Sequence, residues 1–110
     1  MNIGLDVIDL KDFTQKVSSY GFLEKILTDK EIEKSSLETL AGKIAAKEAV
    51  IKTGYIKPGE WLKIQILNTE SGKPEVYDEF GDKITSLKVS ISHTDKTAVA
   101  IALYEETKNS

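Results

Sequence analysis

Alternating apolar and polar residues predict β-strands in four parts of the chain. Near the N-terminus, Ile3, Leu5 and Val7 are separated by single glycine and aspartate residues, and this two-residue period is typical of a strand. A turn predicted at Pro58 and Gly59 separates the other three strands from the first half of the chain. Those three strands have the sequences WLKIQIL, LKVSISH and TAVAIALY.

The last two of these strands, LKVSISH and TAVAIALY, are joined by a Thr-Asp-Lys turn and predict a β-hairpin. Bulky side chains alternate with lysine and serine in the first strand and with alanine in the second. We expect one bulky face and one face of serine and alanine, which would let a helix or a ligand approach the sheet closely. The segment NTESGKPEV, which precedes this hairpin, predicts a second hairpin loop.

Two helices are predicted in the first third of the chain. The segment DLKDFTQKVSSYG favours a helix that ends at Gly21, because glycine is common just after a helix C-terminus. Thr28 precedes Glu31 by three residues, which is the spacing of an N-terminal capping box. We therefore expect another helix to begin near Asp29.

A longer helix is predicted around the segment LAGKIAAKEAVIKTG. Serine start signals place its beginning near Ser36, and we expect it to run to about Lys52 and to end at Gly54. Projected at about 100° per residue, this helix carries Glu48 within a stripe of leucine and isoleucine side chains. A carboxylate on an apolar face costs free energy unless it is paired or bound to a metal, so the position of Glu48 needs an explanation.

The order of these elements predicts the fold class. A strand and helices come first and hairpin-connected strands follow, which indicates an α+β fold with an antiparallel sheet packed on a long central helix. The sequence has no internal repeat and no linker-like segment. We therefore expect a single domain spanning residues 1–110.

Composition narrows the classes of function. The chain has 110 residues, and its net charge of −3 argues against nucleic-acid binding. It has no cysteine, which excludes thiolate chemistry. All 15 basic residues are lysine, so no arginine is present to bind phosphate through a bidentate guanidinium group. No apolar run reaches the roughly 18 to 20 residues that span a bilayer, and the N-terminus does not resemble a signal peptide. We expect a cytoplasmic protein with no membrane partner.

Two carboxylates are candidates for metal binding. Asp6 lies within an apolar strand, where an aspartate at the edge or the end of a strand is an equally good interpretation. Glu48 has Lys52 four residues further on, and an ion pair between them would contribute about 0.3–0.5 kcal/mol. Together, the two carboxylates would also suit Mg²⁺, which is often held by one or two carboxylates together with substrate phosphates and water.

The remaining candidates are lysines and the single histidine. Lys43, Lys47 and Lys52 lie on the long predicted helix, where they indicate either a solvated face or a site for a polyphosphate ligand. His93 ends a predicted strand beside a turn, which suits a structural hydrogen bond or a position in a binding site.

Five motifs follow one another along the chain: IGLDVIDL, ILTDKE, LAGKIAAKEAVIKTG, NTESGKP and VSISHT. Their order is similar to that of the holo-[acyl-carrier-protein] synthases, which are short, single-domain 4′-phosphopantetheinyl transferases. The resemblance covers nearly the whole chain and implies the 4′-phosphopantetheinyl transferase-like fold. It also implies transfer of the phosphopantetheine arm of coenzyme A to a serine of an apo carrier protein, with release of adenosine 3′,5′-bisphosphate.

The same resemblance implies roles for individual residues. Asp6 and Glu48 match the magnesium ligands, Lys52 and Lys47 match phosphate contacts, and either Glu48 or a metal-ordered water would accept the proton of the serine. Asp6, Glu48 and Lys52 form the implied catalytic group. The remaining residues implied to line the coenzyme A site are Gly72, Lys73, Pro74, Ser92, His93 and Thr94.

The resemblance further implies a homotrimer with sites between subunits, and the sequence departs from the family pattern at two places. Lys43 stands where the family usually has arginine, and the first helix carries Lys11, Asp12 and Lys16 where the family has several arginines that dock an acidic carrier.

Two alternatives to the enzyme are a non-catalytic homologue that binds coenzyme A or a partner, and a structural interaction domain in which Glu48 pairs with Lys52. The sequence leaves open which carrier is modified, whether in fatty-acid biosynthesis or in another pathway.

Overall fold

Along the chain, one strand is followed by three helices and then by four strands. The structure is a computed structural model that describes residues 1–106. The prediction of an α+β fold with antiparallel strands and a long helix is confirmed. The elements are β1 (Asn2–Asp9), α1 (Leu10–Val17), α2 (Asp29–Ile32), α3 (Leu37–Thr53), β2 (Ile64–Asn68), β3 (Pro74–Asp78), β4 (Leu87–His93) and β5 (Thr97–Tyr104).

The main sheet has three antiparallel strands in the order β1-β5-β4, and α3 packs against its inner face. Its register places Ala100 of β5 between Asp6 of β1 and Ile91 of β4. The bulky side chains of β4 therefore share the inner face with the alanines of β5, because residues opposite each other in a sheet point to the same side. The expectation that one face of this hairpin would carry all the bulky side chains is wrong.

Small residues bring α3 close to the sheet, as the sequence predicted. Ala98, Ala100 and Ala102 are buried beneath the helix. On β1, a Cβ atom added to Gly4 would lie only 1.8 Å from the backbone oxygen of Ala49. The strand and the helix are thus in backbone contact at a point where only glycine fits.

The capping signals are confirmed in their positions. The Thr28 side chain accepts a hydrogen bond from the backbone of Glu31, whose own side chain accepts one from the backbone N–H of Thr28. Gly54 ends α3 with φ of +88°, in the left-handed region that favours glycine. Helix α1 ends earlier than predicted, at Val17, and Gly21 lies in the turns that follow.

A second, two-stranded sheet is formed by β2 and β3, which are joined by a tight loop in which the backbone N–H of Thr69 donates to the carbonyl oxygen of Lys73. The predicted hairpin is confirmed, but its first strand begins at Ile64, three residues later than expected. Residues Trp61–Lys63 form a 3₁₀ turn instead. This turn lies beside α3, where the Trp61 carbonyl oxygen accepts a hydrogen bond from Lys47 Nζ.

The outer face of the main sheet is apolar and exposed. Ile3, Leu5 and Val7 are each more than half exposed, and Ile101 lies opposite Leu5 on the same face. Across the described residues, no helix has both the length and the apolar character needed to span a bilayer. Apolar side chains in a row on one sheet face are typical of a surface that another protein covers.

Candidate active site

A pocket of about 590 Å³ opens between β1, α1 and α3. Asp6 projects into it from the inner face of β1, and Glu48 projects into it from α3. Phe13, Ile44 and Trp61 supply apolar walls. The two carboxylates singled out by the sequence therefore line one cavity, although 42 positions separate them in the chain.

Lys52 is paired with Asp6 and leaves Glu48 free for other contacts. Its Nζ donates to Asp6 Oδ1 at 3.2 Å and to the backbone oxygen of Leu5 at 2.8 Å. Among the described residues no ion pair joins Lys52 to Glu48, so the simple i, i+4 pair is not the explanation for Glu48. The lysine lies one turn beyond Glu48 and is half exposed to solvent; it contacts Asp6 but is not among the residues that line the pocket.

Glu48 is instead held by a residue that sequence reasoning missed. The indole N–H of Trp61 donates to Glu48 Oε1 at 2.8 Å. The sequence offered no signal for this contact, because WLKIQIL alternates like a strand and tryptophan suits a strand. The actual 3₁₀ turn directs the indole towards α3.

The donor set of the pocket fits Mg²⁺ that is bound partly by a substrate. Each carboxylate has one oxygen engaged, by Lys52 or by Trp61, while Asp6 Oδ2 and Glu48 Oε2 have no hydrogen-bond partner among the described residues. Oxygen donors suit a hard cation. No cluster of three or more potential ligand side chains occurs in residues 1–106, so phosphate oxygens and water would complete the coordination.

His93 lies in a different and smaller pocket, of about 120 Å³. Gly72 of the β2–β3 loop and Pro74 at the start of β3 line this pocket, together with Thr39 and Lys43 of α3. Loop and strand residues that the resemblance assigned to one ligand site thus do meet in the fold.

Three residues assigned to the same ligand site lie outside this small pocket. Lys73 lines a neighbouring groove beside β3 and β4. Ser92 alternates with His93 along β4 and is paired with Val99 on the outer face of the sheet. Thr94 Oγ1 accepts hydrogen bonds from the backbone N–H groups of Lys96 and Thr97, so it closes the β4–β5 turn.

The two pockets lie on opposite sides of α3. Thr39 and Lys43 are about 140° around the helix from Ile44 and Glu48, at 100° per residue. The two implied metal ligands, Asp6 and Glu48, are therefore separated within one chain from the pocket that contains three residues assigned to coenzyme A by the resemblance, Gly72, Pro74 and His93.

Lys47 does not reach either pocket, which corrects the expectation that it contacts phosphate. Its side chain is fully buried, and its Nζ donates to Glu31 Oε1 at 2.6 Å and to the carbonyl oxygens of Ile26 and Trp61 at 2.7 and 2.9 Å. All three N–H groups of the ammonium are thus used inside the protein. Burial lowers the pKa of Lys47, and the charge of Glu31 opposes that shift.

Lys43 is also buried, so Lys52 is the one lysine of α3 that is exposed to solvent. Its Nζ donates to the backbone oxygen of Glu31 at 2.7 Å and to Ser35 Oγ at 3.2 Å. Burial lowers its pKa, with Glu31 again acting in the opposite direction. The lysine found at the family's arginine position therefore joins the segment after α2 to the long helix.

The fold is similar to solved structures of holo-[acyl-carrier-protein] synthases. The Helicobacter pylori enzyme in complex with coenzyme A superposes with a TM-score of 0.81 at 27% identity, covering 94% of this chain and 99% of that one. The Bacillus anthracis enzyme in complex with coenzyme A (3′,5′-ADP) gives a TM-score of 0.79 at 32% identity, covering 96% of both chains.

Curated sequences lead to the same family. Holo-[acyl-carrier-protein] synthase from Chlorobaculum tepidum is 38% identical over 96% of this chain and 98% of its own length. The protein of the same name from an Exiguobacterium species is 35% identical over 96% of this chain. No protein-family model matches the chain. The fold and the relatives define a transferase, and the chain belongs to the holo-[acyl-carrier-protein] synthase family, which confirms the resemblance noted in the sequence.

Proposed function

We propose that this protein transfers the 4′-phosphopantetheine arm of coenzyme A to a serine of an apo acyl carrier protein, in a reaction that requires Mg²⁺. The observation that carries the proposal is the pocket in which Asp6 and Glu48 each keep one carboxylate oxygen unengaged, with Lys52 paired to Asp6. A relative that only bound a partner would have no use for this arrangement of oxygen donors and a cation.

In the proposed reaction, the hydroxyl oxygen of the serine forms a bond to the β-phosphorus of coenzyme A. The bond between that phosphorus and the oxygen of adenosine 3′,5′-bisphosphate breaks, and the serine loses its proton. When bound by Asp6 and Glu48, Mg²⁺ supplies positive charge that offsets the negative charge developing on the pyrophosphate. Lys52 adds a second cation beside Asp6, and its half-exposed ammonium would contact a phosphate oxygen of the bound substrate.

Two acceptors are open to the serine proton. Glu48 is one, because its Oε2 lines the pocket without a hydrogen-bond partner among the described residues. A water ordered by the cation is the other. Both place the proton on the pocket side of α3, where Asp6 and Lys52 also lie.

A homotrimer accounts for the division of the ligand residues into two groups. The pocket of Asp6 and Glu48 and the pocket of His93, Gly72 and Pro74 lie on opposite sides of α3. Coenzyme A bound where two copies meet would contact the first group on one copy and the second group on its neighbour. The exposed apolar face of the main sheet supplies a surface for such an assembly, and sedimentation of the purified protein tests it.

The carrier is expected to dock near α1, which borders the larger pocket through Asp12, Phe13 and Lys16. This helix lacks the arginines usual in the family, so Lys11 and Lys16 would supply the positive charges that bind an acidic carrier. Fatty-acid biosynthesis in the cytoplasm is the setting that the family suggests.

Mass spectrometry of carrier proteins tests the activity. Several apo carriers are incubated with coenzyme A and Mg²⁺, and one of them is expected to gain a single phosphopantetheine arm. The gain should disappear with Glu48→Ala and persist with Tyr55→Phe, because Tyr55 packs on Tyr104 and lines neither pocket.

Two results would contradict the proposal. Failure to modify any carrier, with coenzyme A binding retained, would favour the alternative of a non-catalytic homologue. Full activity in the presence of a chelator would exclude the roles given to Asp6 and Glu48.

A further inference from the structure

The contact between Trp61 and Glu48 joins a structural network to the pocket. The indole N–H donates to Glu48 Oε1 at 2.8 Å, and both side chains line the cavity. The same tryptophan accepts a hydrogen bond from Lys47 Nζ at its backbone oxygen. Trp61 is thus fixed at its main chain by a fully buried ammonium, and it holds a carboxylate with its side chain.

The 3₁₀ turn that carries Trp61 is itself held at both ends. The Glu60 carboxylate accepts a hydrogen bond from the backbone N–H of Lys57 at 2.7 Å, and the backbone N–H of Lys63 donates to the Glu60 carbonyl oxygen at 3.1 Å. Directly after the turn, Ile64 begins a strand and is completely buried. The indole is therefore presented from a fixed position.

We propose that Trp61 is a positioning residue that orients Glu48 for the cation, an inference that rests on the proposed function. By occupying Oε1, the indole fixes one rotamer of a flexible side chain before any ligand arrives, and it leaves Oε2 as the oxygen that binds the cation. Groups that hold a metal ligand in place typically change metal affinity by about 10- to 100-fold when they are mutated.

An indole suits this task better than a charged or hydroxyl-bearing residue. Its N–H group is a donor with no acceptor lone pair, so it has no means of binding the cation in competition with Glu48. It is also neutral, so the negative charge of Glu48 stays available. A lysine at the same place would add a positive charge that repels the cation.

Trp61→Phe removes the N–H group and keeps an aromatic ring in the wall of the pocket. Binding of Mn²⁺ in the presence of saturating coenzyme A is measured by electron paramagnetic resonance of the free ion. We expect about 10-fold weaker binding than in the wild-type protein. Transfer by the variant should recover at high Mg²⁺ concentration, since only the cation step is impaired. Tyr55→Phe, which also changes a partly buried aromatic side chain by one polar group, should alter neither quantity.

A double-mutant cycle separates this role from general structural support. Glu48→Asp shortens the carboxylate by one methylene and takes it out of reach of the indole while keeping a weaker ligand. If Trp61 acts through Glu48, then adding Trp61→Phe to Glu48→Asp should change the Mn²⁺ affinity less than twofold. An effect as large as in the wild-type background would overturn the inference.

The wild-type protein supplies a test that does not depend on any variant folding. Trp61 is the only tryptophan in the chain, so tryptophan emission reports on the surroundings of this one indole. With coenzyme A present, titration with Mg²⁺ should change the emission at the same midpoint at which it activates transfer. An emission that stays constant while transfer is activated would overturn the inference.

These experiments also distinguish the inference from the proposed function. A wild-type protein that binds no Mn²⁺ and modifies no carrier contradicts the proposed function itself. A wild-type protein that does both, together with an unchanged Trp61→Phe variant, contradicts only the role of Trp61.

Discussion

Helix α3 contributes a lysine to each of two ion pairs that have the same chemistry and opposite surroundings. Lys47 and Glu31 are 2.6 Å apart, and both side chains are 0% exposed. Lys52 and Asp6 are 3.2 Å apart, with exposures of 54% and 20%. The helix therefore carries one pair inside the protein and the other at the rim of a pocket.

The difference lies in how many hydrogen bonds remain to be made. Glu31 accepts from the backbone N–H groups of Thr28 and Ile66 as well as from Lys47, and no buried side-chain polar atom among the described residues lacks a partner. Such a closed network stabilises one arrangement and offers nothing to a ligand. The pair of Lys52 and Asp6 keeps an unengaged carboxylate oxygen and a half-exposed ammonium, and both groups are accessible to a charged substrate.

Lys47→Met should produce the largest loss of stability. The substitution keeps the aliphatic stem and removes the ammonium, which leaves the Glu31 carboxylate buried without its cation and deprives the carbonyl oxygens of Ile26 and Trp61 of a donor. Breaking a buried pair in this way costs about 3–5 kcal/mol. Urea denaturation of the variant and the wild-type protein measures the change. A loss no greater than that of Lys52→Met would refute the distinction between the two pairs.

Lys43→Met should have an intermediate effect. Lys43 is buried and joins α3 to the Glu31 backbone and to Ser35, but it is farther from any carboxylate than Lys47 is. Loss of hydrogen bonds from a charged donor costs about 1.5–3 kcal/mol. In the same urea experiment, the loss of unfolding free energy should therefore be smaller than for Lys47→Met and larger than for Lys52→Met. Any other order would show that the burial of these three lysines does not determine how much each contributes to stability.

These lysines show where sequence reasoning stops. Local signals predicted the helix that carries them, because Ser36 caps its N-terminus and Gly54 ends it through contacts with residues only a few positions away. Whether a lysine on that helix is solvated or buried depends on its partner, and Glu31 lies 16 positions before Lys47. The sequence also predicted the capping box at Glu31, but it did not show that this carboxylate would be buried and paired with Lys47.

Other results depended on register and on distant contacts in the same way. Alternation identified β4 and β5, yet a shift of one residue in their pairing reverses the faces, and the pattern alone does not set that register. The motifs singled out Asp6 and Glu48, which line one pocket, and their role as metal ligands stays a prediction. Trp61 was not predictable, because its contact with Glu48 requires a turn where the pattern predicted a strand.

Of the three lysine substitutions, Lys52→Met should change stability least. It should also show most clearly that the exposed ion pair contributes to activity and the buried pair to stability. An exposed ion pair contributes about 0–1 kcal/mol, so the free energy of unfolding should barely change. Transfer of phosphopantetheine should nevertheless fall by about 10- to 100-fold, because a hydrogen bond to a charged phosphate is worth about 1.5–3 kcal/mol. Carrier modification is followed by mass spectrometry at fixed coenzyme A and Mg²⁺. Lys52→Arg keeps the charge and should retain more activity than Lys52→Met. Equal activity of the wild-type protein and Lys52→Met would mean that the exposed pair, like the buried one, has no part in binding the substrate.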